Sequence, residues 1–493
     1  MWKSHLSGNS GVAHEATNTL TASDSEAAFP AASLLRPCPL LRNAIVFLLL
    51  MLFGCSSHAP KNNARVVTDA ASHAAPSIGA QRTSWPMYQG GPTHNAVFPG
   101  EQPDASWTVQ FRDKINAGLA VDGDRVYTDS FDHNVYALDL RSGRLLWSTS
   151  TNNVVMSTPV IQDGIVIVGT GKDGWLNPGA DNPAVQIWGR PQGDNVYALS
   201  ASTGKVLWRF HTVGDDMASA AIDGDTVVFA NGDLHAYGLD LHRGTLRWQI
   251  PILGVASMDS TTIDRGLAFI SSCRIGPRRC ETIAVNVENG NVRWRSDVGS
   301  ADASPAVARG VVVTNMLDLD ESGKYDQGGR SIIAGLDELT GRTIWKWKSD
   351  KGPCTFVGSG EHEIAPLMDN TLVIDSVGCG SEIVAIDAHS GKLRWKFRAY
   401  AHVKMSAIAY RDHVFFGDTN GVFYDVDERN GFANRFVSFD QLFTAAPFVI
   451  VGKSLLAACG SEIYAVPLRH GFSPLAIPVH DIWKDRPVVN AVR

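Results

Sequence analysis

Short β-branched and aromatic runs, separated by Asp-Gly and Thr-Gly turns, repeat along most of this chain. One unit shows the pattern. Met156-Ser-Thr-Pro-Val-Ile161 turns at Gln162-Asp163-Gly164 and runs out through Ile165-Val-Ile-Val-Gly169. After a long connection, Asn195-Val-Tyr-Ala-Leu199 turns at Ser202-Thr203-Gly204 and runs out through Val206-Leu-Trp208-Arg-Phe210. Four such runs bounded by turn residues predict a four-stranded antiparallel meander, with strands A to D. Apolar spacing of the helical 3.6-residue kind is missing after the leader.

The end of each unit carries a signature. Ala137-Leu-Asp139-Leu-Arg-Ser-Gly143-Arg-Leu-Leu-Trp147 returns as Ala198 to Trp208, Gly238 to Trp248, Ala284 to Trp294, Gly335 to Trp345 and Ala385 to Trp395. Two worn copies are centred on Gly431 and Gly471. Four strands in a shortest unit of about 40 residues is the length of a propeller blade. Eight copies therefore predict an all-β, eight-bladed β-propeller of four-stranded antiparallel blades. The glycine serves the C–D turn, and the tryptophan supplies a flat wedge between neighbouring sheets. Ser106-Trp107-Thr-Val-Gln-Phe111 reads as a D strand with no A, B or C before it. The economical arrangement is ring closure, this N-terminal strand completing a last blade whose other strands lie between Leu442 and Leu468. Closure removes exposed sheet edges.

The A-x-D-x-x-[ST]-G-x-x-x-W pattern resembles the tryptophan-docking motif of the quinoprotein (PQQ) repeat propellers. That superfamily contains PQQ-dependent alcohol dehydrogenases and the BamB-type outer-membrane assembly lipoproteins. The resemblance covers about Trp85 to Leu475 and implies the fold more strongly than any one activity.

Ahead of the repeats, Arg42 and the apolar run Ala44 to Phe53 have the length of a signal-peptide h-region, short of a membrane span. Leu52-Phe53-Gly54-Cys55 resembles a bacterial lipobox, with Cys55 the lipidated residue and Phe53 larger than the pattern prefers. Ser56 after the cysteine implies, by the same resemblance, an outer-membrane lipoprotein facing the periplasm; a secreted or periplasmic protein is the alternative. The domain reading is thus leader and lipoprotein signal over 1–55, a flexible tether over 56–84, propeller over 85–475 and a tail over 476–493. A net charge of −7 with no basic run interleaved with aromatics argues against a nucleic-acid partner. A monomeric ring is expected.

Of seven cysteines, Cys273 and Cys280 flank a B–C hairpin with the geometry for a cross-strand disulfide, which export permits. Cys354 and Cys379 form a second candidate pair, leaving Cys459. Nearly every long connection falls on the face that carries the B–C and D–A loops. Loops on a rigid scaffold carry function, so the working surface is expected there. Its insert 172–192 carries Trp175 and Trp188, the candidate interaction anchors. Asp318, Asp320, Ser322 and Asp326, around Gly323, match the first part of a calcium loop and resemble loops on integrin propellers. The reading is a structural calcium site or, equally open, a solvated acidic hairpin. The approach to the A strands places Met156, Met217, Met258 and Met405 in one ring slot. They read as a soft-metal or plastic binding surface, or as packing of the channel neck. Asp216, His362 and Glu363 are expected at the same mouth.

No catalytic constellation is recognisable in the sequence. The expected function is a non-catalytic, membrane-tethered scaffold that docks a protein partner in the cell envelope, resembling BamB-type factors. The alternatives are a PQQ-dependent dehydrogenase, or another periplasmic enzyme or ligand sensor using the channel mouth. Those dehydrogenases cover PQQ with a disulfide between adjacent cysteines, and no Cys-Cys occurs here, so PQQ is not the expected cofactor.

Overall fold

The structure, a computed structural model, describes residues 106–171, 194–256, 260–274, 279–300, 303–317, 331–350, 367–369, 372–377, 381–439, 441–443, 445–468 and 479–481. Among them, eight antiparallel sheets follow one another in the β-propeller order, each starting at the axis with strand A. Blade 1 comprises Ala120–Asp122, Arg125–Ser130, Asn134–Asp139 and Leu145–Ser150. Blades 2 to 7 occupy 160–212, 221–251, 262–296, 306–348, 367–398 and 408–438. From blade 1 to blade 7 the A strands touch their neighbours in turn, which sets them around the axis.

Blade 8 takes its first three strands from Val449–Val451, Ser454–Cys459 and Glu462–Pro467. Its D strand is the N-terminal Trp107–Gln110, with Trp107 opposite Ala465. The ring is closed as the sequence predicts. One difference appears at the other end. Val479–Asp481, assigned from sequence to a tail, pairs in parallel outside Trp107–Gln110 and makes blade 8 five-stranded. The closing strand is therefore hydrogen-bonded on both sides.

The wedge between blades is the tryptophan, and its geometry repeats. Trp147 Nε1 donates to Ala201 O of blade 2 at 2.9 Å, and a Cβ built on Gly204 would lie 2.6 Å from the ring. Trp107, Trp208, Trp248, Trp294, Trp345 and Trp395 donate likewise to the next blade's C–D turn. Each indole thus buries its face against a turn that only glycine leaves open and satisfies its one donor. In blade 7 the register puts Arg435 at this position, which is why the repeat looks worn there.

A second belt of bonds lies nearer the axis. Gly118 N donates to Thr158 Oγ1, Thr158 N to Ser219 Oγ, Ser219 N to Ser260 Oγ and Ser260 N to Ser304 Oγ, over 2.7–3.2 Å. Small hydroxyl residues just before strand A so tie blades 1 to 5 into an arc.

Candidate functional site

The meander puts A–B and C–D turns on one face. Those turns are tight, with left-handed glycines such as Gly123, Gly164 and Gly224. One acidic group stands out there: Asp163, Asp225 and His242 bring ligand atoms within 4.8 Å of one another, all exposed. His242 Nε2 lies 3.4 Å from Asp225 Oδ1, which accounts for the grouping as a surface ion pair.

The opposite, loop-bearing face is different: its strand ends hold buried carboxylates. Asp129, next to last in strand B of blade 1, is fully buried, and among the described residues neither carboxylate oxygen meets a donor. Burial, reinforced by Asp132, pushes its proton affinity well above the ordinary carboxylate range. Asp216, between blades 2 and 3, is 1% exposed. Burial raises its pKa strongly, and Asp194 and Asp233 add to the rise against the bonds from Thr212 and Asn231.

Asp375 lies in Leu372–Val377, strand B of blade 6. Its Oδ2 accepts from Asn315 Nδ2 of blade 5 at 2.9 Å, and its Oδ1 from Ser376 N at 2.8 Å. Burial overrides both bonds and pushes its pKa up to about 8. Asp375 is therefore a neutral acid, with a proton to give, through most of the physiological range. Carboxyls so perturbed gather at functional sites more often than elsewhere.

Other carboxylates on this face are structural. Tyr136, Tyr237 and Tyr424, in the C strands, each donate at 2.5 Å to an aspartate of their own B–C connection: Asp132, Asp233 and Asp418. Asp418 also receives Asn420 N, Val422 N and Ala401 N, so it serves as a turn-builder.

Three methionines of the ring slot are described, and they differ in burial. Met405 is fully buried and its Sδ accepts from Gly417 N at 3.2 Å. Met156 and Met217 are half-buried, and Met217 packs so close that a Cβ on Gly171 would lie 2.5 Å from its Cγ. Cys273 and Cys280 are bonded, across directly opposed strand positions. Met258, His362, Glu363, Asp318, Asp320, Ser322, Asp326, Trp175, Trp188, Cys354, Cys379 and Cys55 all lie outside the described residues.

Sequence reading placed Asp216 at the mouth but missed Asp129, Asp194 and Asp375. Asp194 opens a strand, Asp129 is next to last in one, and Asp375 is the fourth residue of Leu372–Val377. Alternation tells which face of a sheet a residue takes, but here both faces are buried between blades. A carboxylate in that gap looks, in sequence, like one in a turn.

The family model for the outer membrane protein assembly factor BamB matches residues 102–322 and 329–466, most of the chain. The chain belongs to the BamB family. Its relatives within and around that family differ in what they do. It is 26% identical over 403 residues to the tetrathionate hydrolase of Acidithiobacillus ferrooxidans, spanning 78% of this chain and 79% of the hydrolase. It is 23% identical over 361 residues to the outer membrane protein assembly factor BamB of Yersinia pestis, spanning 71% of each. Among solved structures, BamB from Moraxella catarrhalis superposes with a TM-score of 0.54 at 18% identity, over 74% of this chain and 97% of that one. That last likeness concerns the fold alone.

Proposed function

We propose that this BamB-family propeller is a hydrolytic enzyme of the cell envelope that acts on a polythionate such as tetrathionate. The observation that carries the reading is Asp375, a buried carboxyl held by Asn315 and kept protonated by its burial. A docking scaffold has no use for acids kept neutral at a cost in stability, whereas a hydrolase needs a group that holds a proton until the leaving group takes it. The similarity to tetrathionate hydrolase, spanning about four-fifths of both chains, supports the substrate class. Asp375 is the candidate proton donor: it keeps its proton near neutral pH, and Asn315 fixes the carboxyl's orientation. Cys55 is proposed to carry the lipid that tethers the enzyme to the outer membrane on its periplasmic side. The experiment is direct. Purified mature protein is incubated with tetrathionate, and the anion's loss is followed by ion chromatography with acid release recorded in parallel. Turnover above a heat-treated control supports the reading; an unchanged tetrathionate pool sinks it.

A second reading, the protein-docking scaffold, is favoured by the family match itself and by one surface feature. Tyr400 and Phe436, 61% and 45% exposed, lie with ring centroids 6.0 Å apart at the rim of blades 6 and 7. Stoichiometric co-purification with an outer-membrane assembly complex, reversed by Tyr400→Ala with Phe436→Ala, would mark this use. If those substitutions leave the complex intact, the scaffold reading loses its surface.

A further inference from the structure

Where blades 2 and 3 meet on the loop face, two buried carboxylates stand outside the proposed role of Asp375. Asp194 opens strand C of blade 2, Asp194–Ser200, and Asp216 approaches strand A of blade 3, Ala221–Asp223. They are 0% and 1% exposed. Thr170 joins them. Its carbonyl accepts from Asp216 N at 2.9 Å, and its hydroxyl donates to Asp194 Oδ1 at 3.2 Å. Asn153 Nδ2 also donates to Asp194 Oδ1, at 2.9 Å. Among the described residues, Asp194 Oδ2, on the same buried carboxylate, meets no donor. Asp216 takes bonds from the Thr212 hydroxyl and the Asn231 amide and has lone pairs to spare. Thr170 thus bridges the two residues, its hydroxyl on the Asp194 carboxylate and its carbonyl on the Asp216 amide. Among the described residues, no lysine or arginine pairs with either.

We propose that this corner binds a divalent cation of the calcium kind, with Asp194 Oδ2 as principal ligand, Asp216 as second carboxylate and Thr170 as a neutral oxygen donor. Every donor is a hard oxygen, and among the described residues neither histidine nor cysteine bonds to these carboxylates, which favours calcium over zinc or copper. The place gives the ion a structural role. Gly171 and Asp194 are the two ends from which the connection 172–193 leaves the blade. A cation held there clamps the base of the longest insert on the working face and links blade 2 to blade 3. This inference is independent of the hydrolase reading. The corner is also distinct from the exposed Asp163, Asp225 and His242 group on the opposite face.

The test uses the mature chain stripped of metal and titrated with terbium, read by emission sensitised through its aromatic side chains, then by displacement with calcium. Expected is a saturable, calcium-displaced signal in the wild type. Asp194→Asn should weaken the apparent affinity at least tenfold, while Asp163→Asn and Asp320→Asn leave that component in place. In parallel, calcium should raise the wild-type unfolding midpoint relative to chelator and leave that of Asp194→Asn unmoved. If Asp194→Asn does not fold, Asp216→Asn is read by the same two measurements. A wild type without displaceable emission or a calcium-dependent midpoint overturns the proposal. So does a variant that keeps both, and protons alone then neutralise the corner.

Discussion

The docking of each indole on the next blade's turn predicts an asymmetry between two glycines of blade 2. Gly164, in the A–B turn, and Gly204, in the C–D turn, have nearly the same backbone, with φ of +73° and +71°. Alanine at either position must adopt the left-handed conformation, which costs about 1–2 kcal/mol. Around Gly164 that is the whole cost, since a Cβ there meets nothing within 4 Å. At Gly204 the same Cβ would lie 2.6 Å from Trp147 Cε3 and 2.7 Å from Thr149 Oγ1. Neither neighbour is free to retreat. Trp147 is 2% exposed and bonded to Ala201 O, and Thr149 Oγ1 donates to Gly204 O at 2.7 Å. Overpacking of this kind adds about 1–3 kcal/mol. Gly204→Ala should therefore cost about 2–5 kcal/mol and Gly164→Ala about 1–2 kcal/mol. Urea unfolding followed by tryptophan emission reads the difference, provided both variants keep the wild-type slope. Equal losses in the two variants would refute the idea that the indole seats tightly on the turn.

Three further outcomes can be measured independently. Trp107→Ala removes the wedge of the closing strand and should cost roughly 3–5 kcal/mol by denaturant midpoint; a change below about 1 kcal/mol would mean that backbone pairing alone closes the ring. Asp375 holds its proton up to about pH 8 when folded and to about 3.9 when unfolded, so its contribution to stability is complete in acid and is lost as pH rises between those values. Asp375→Asn should therefore flatten the pH dependence of unfolding free energy by about 1.4 kcal/mol per pH unit over pH 5–7.5, and a slope unchanged by the substitution would count against the raised pKa. Cys55→Ser should leave an unprocessed precursor or release the propeller from the membrane fraction; processed, membrane-bound variant protein would exclude lipidation at that residue.

The fold was legible because one eleven-residue pattern encodes a contact between blades as well as a turn within one. The aspartate and glycine shape the C–D turn, and the tryptophan ten positions after the opening alanine docks on the next such turn. Ring closure was readable for the same reason, since Trp107 could only be an unpaired D strand. Val479–Asp481 escaped because three residues with no following turn carry no period, and its pairing depends on a strand more than 360 residues earlier. Blade 7 was recognisable from Gly431 despite Arg435, because the turn survives where the wedge does not. The site was harder. Asp129 and Asp375 owe their raised proton affinity to desolvation, and Asp375 lies against Asn315, 60 residues earlier in the neighbouring blade. Met405 shows the same limit: its full burial and its contact with Gly417 N come from the neighbouring strands and leave no mark in the sequence.

Hydrolysis by a protonated carboxyl on the loop face is the function proposed for this propeller. The most direct measurement is the turnover number for tetrathionate of wild type against Asp375→Asn, with the unfolding midpoints of both recorded at the same pH. Measurable wild-type turnover is expected, with a roughly 10²- to 10⁴-fold loss in a variant at least as stable as the wild type at pH 7. Equal turnover in the two proteins would remove Asp375 from the chemistry. No turnover in a correctly folded wild type would contradict the enzyme reading itself.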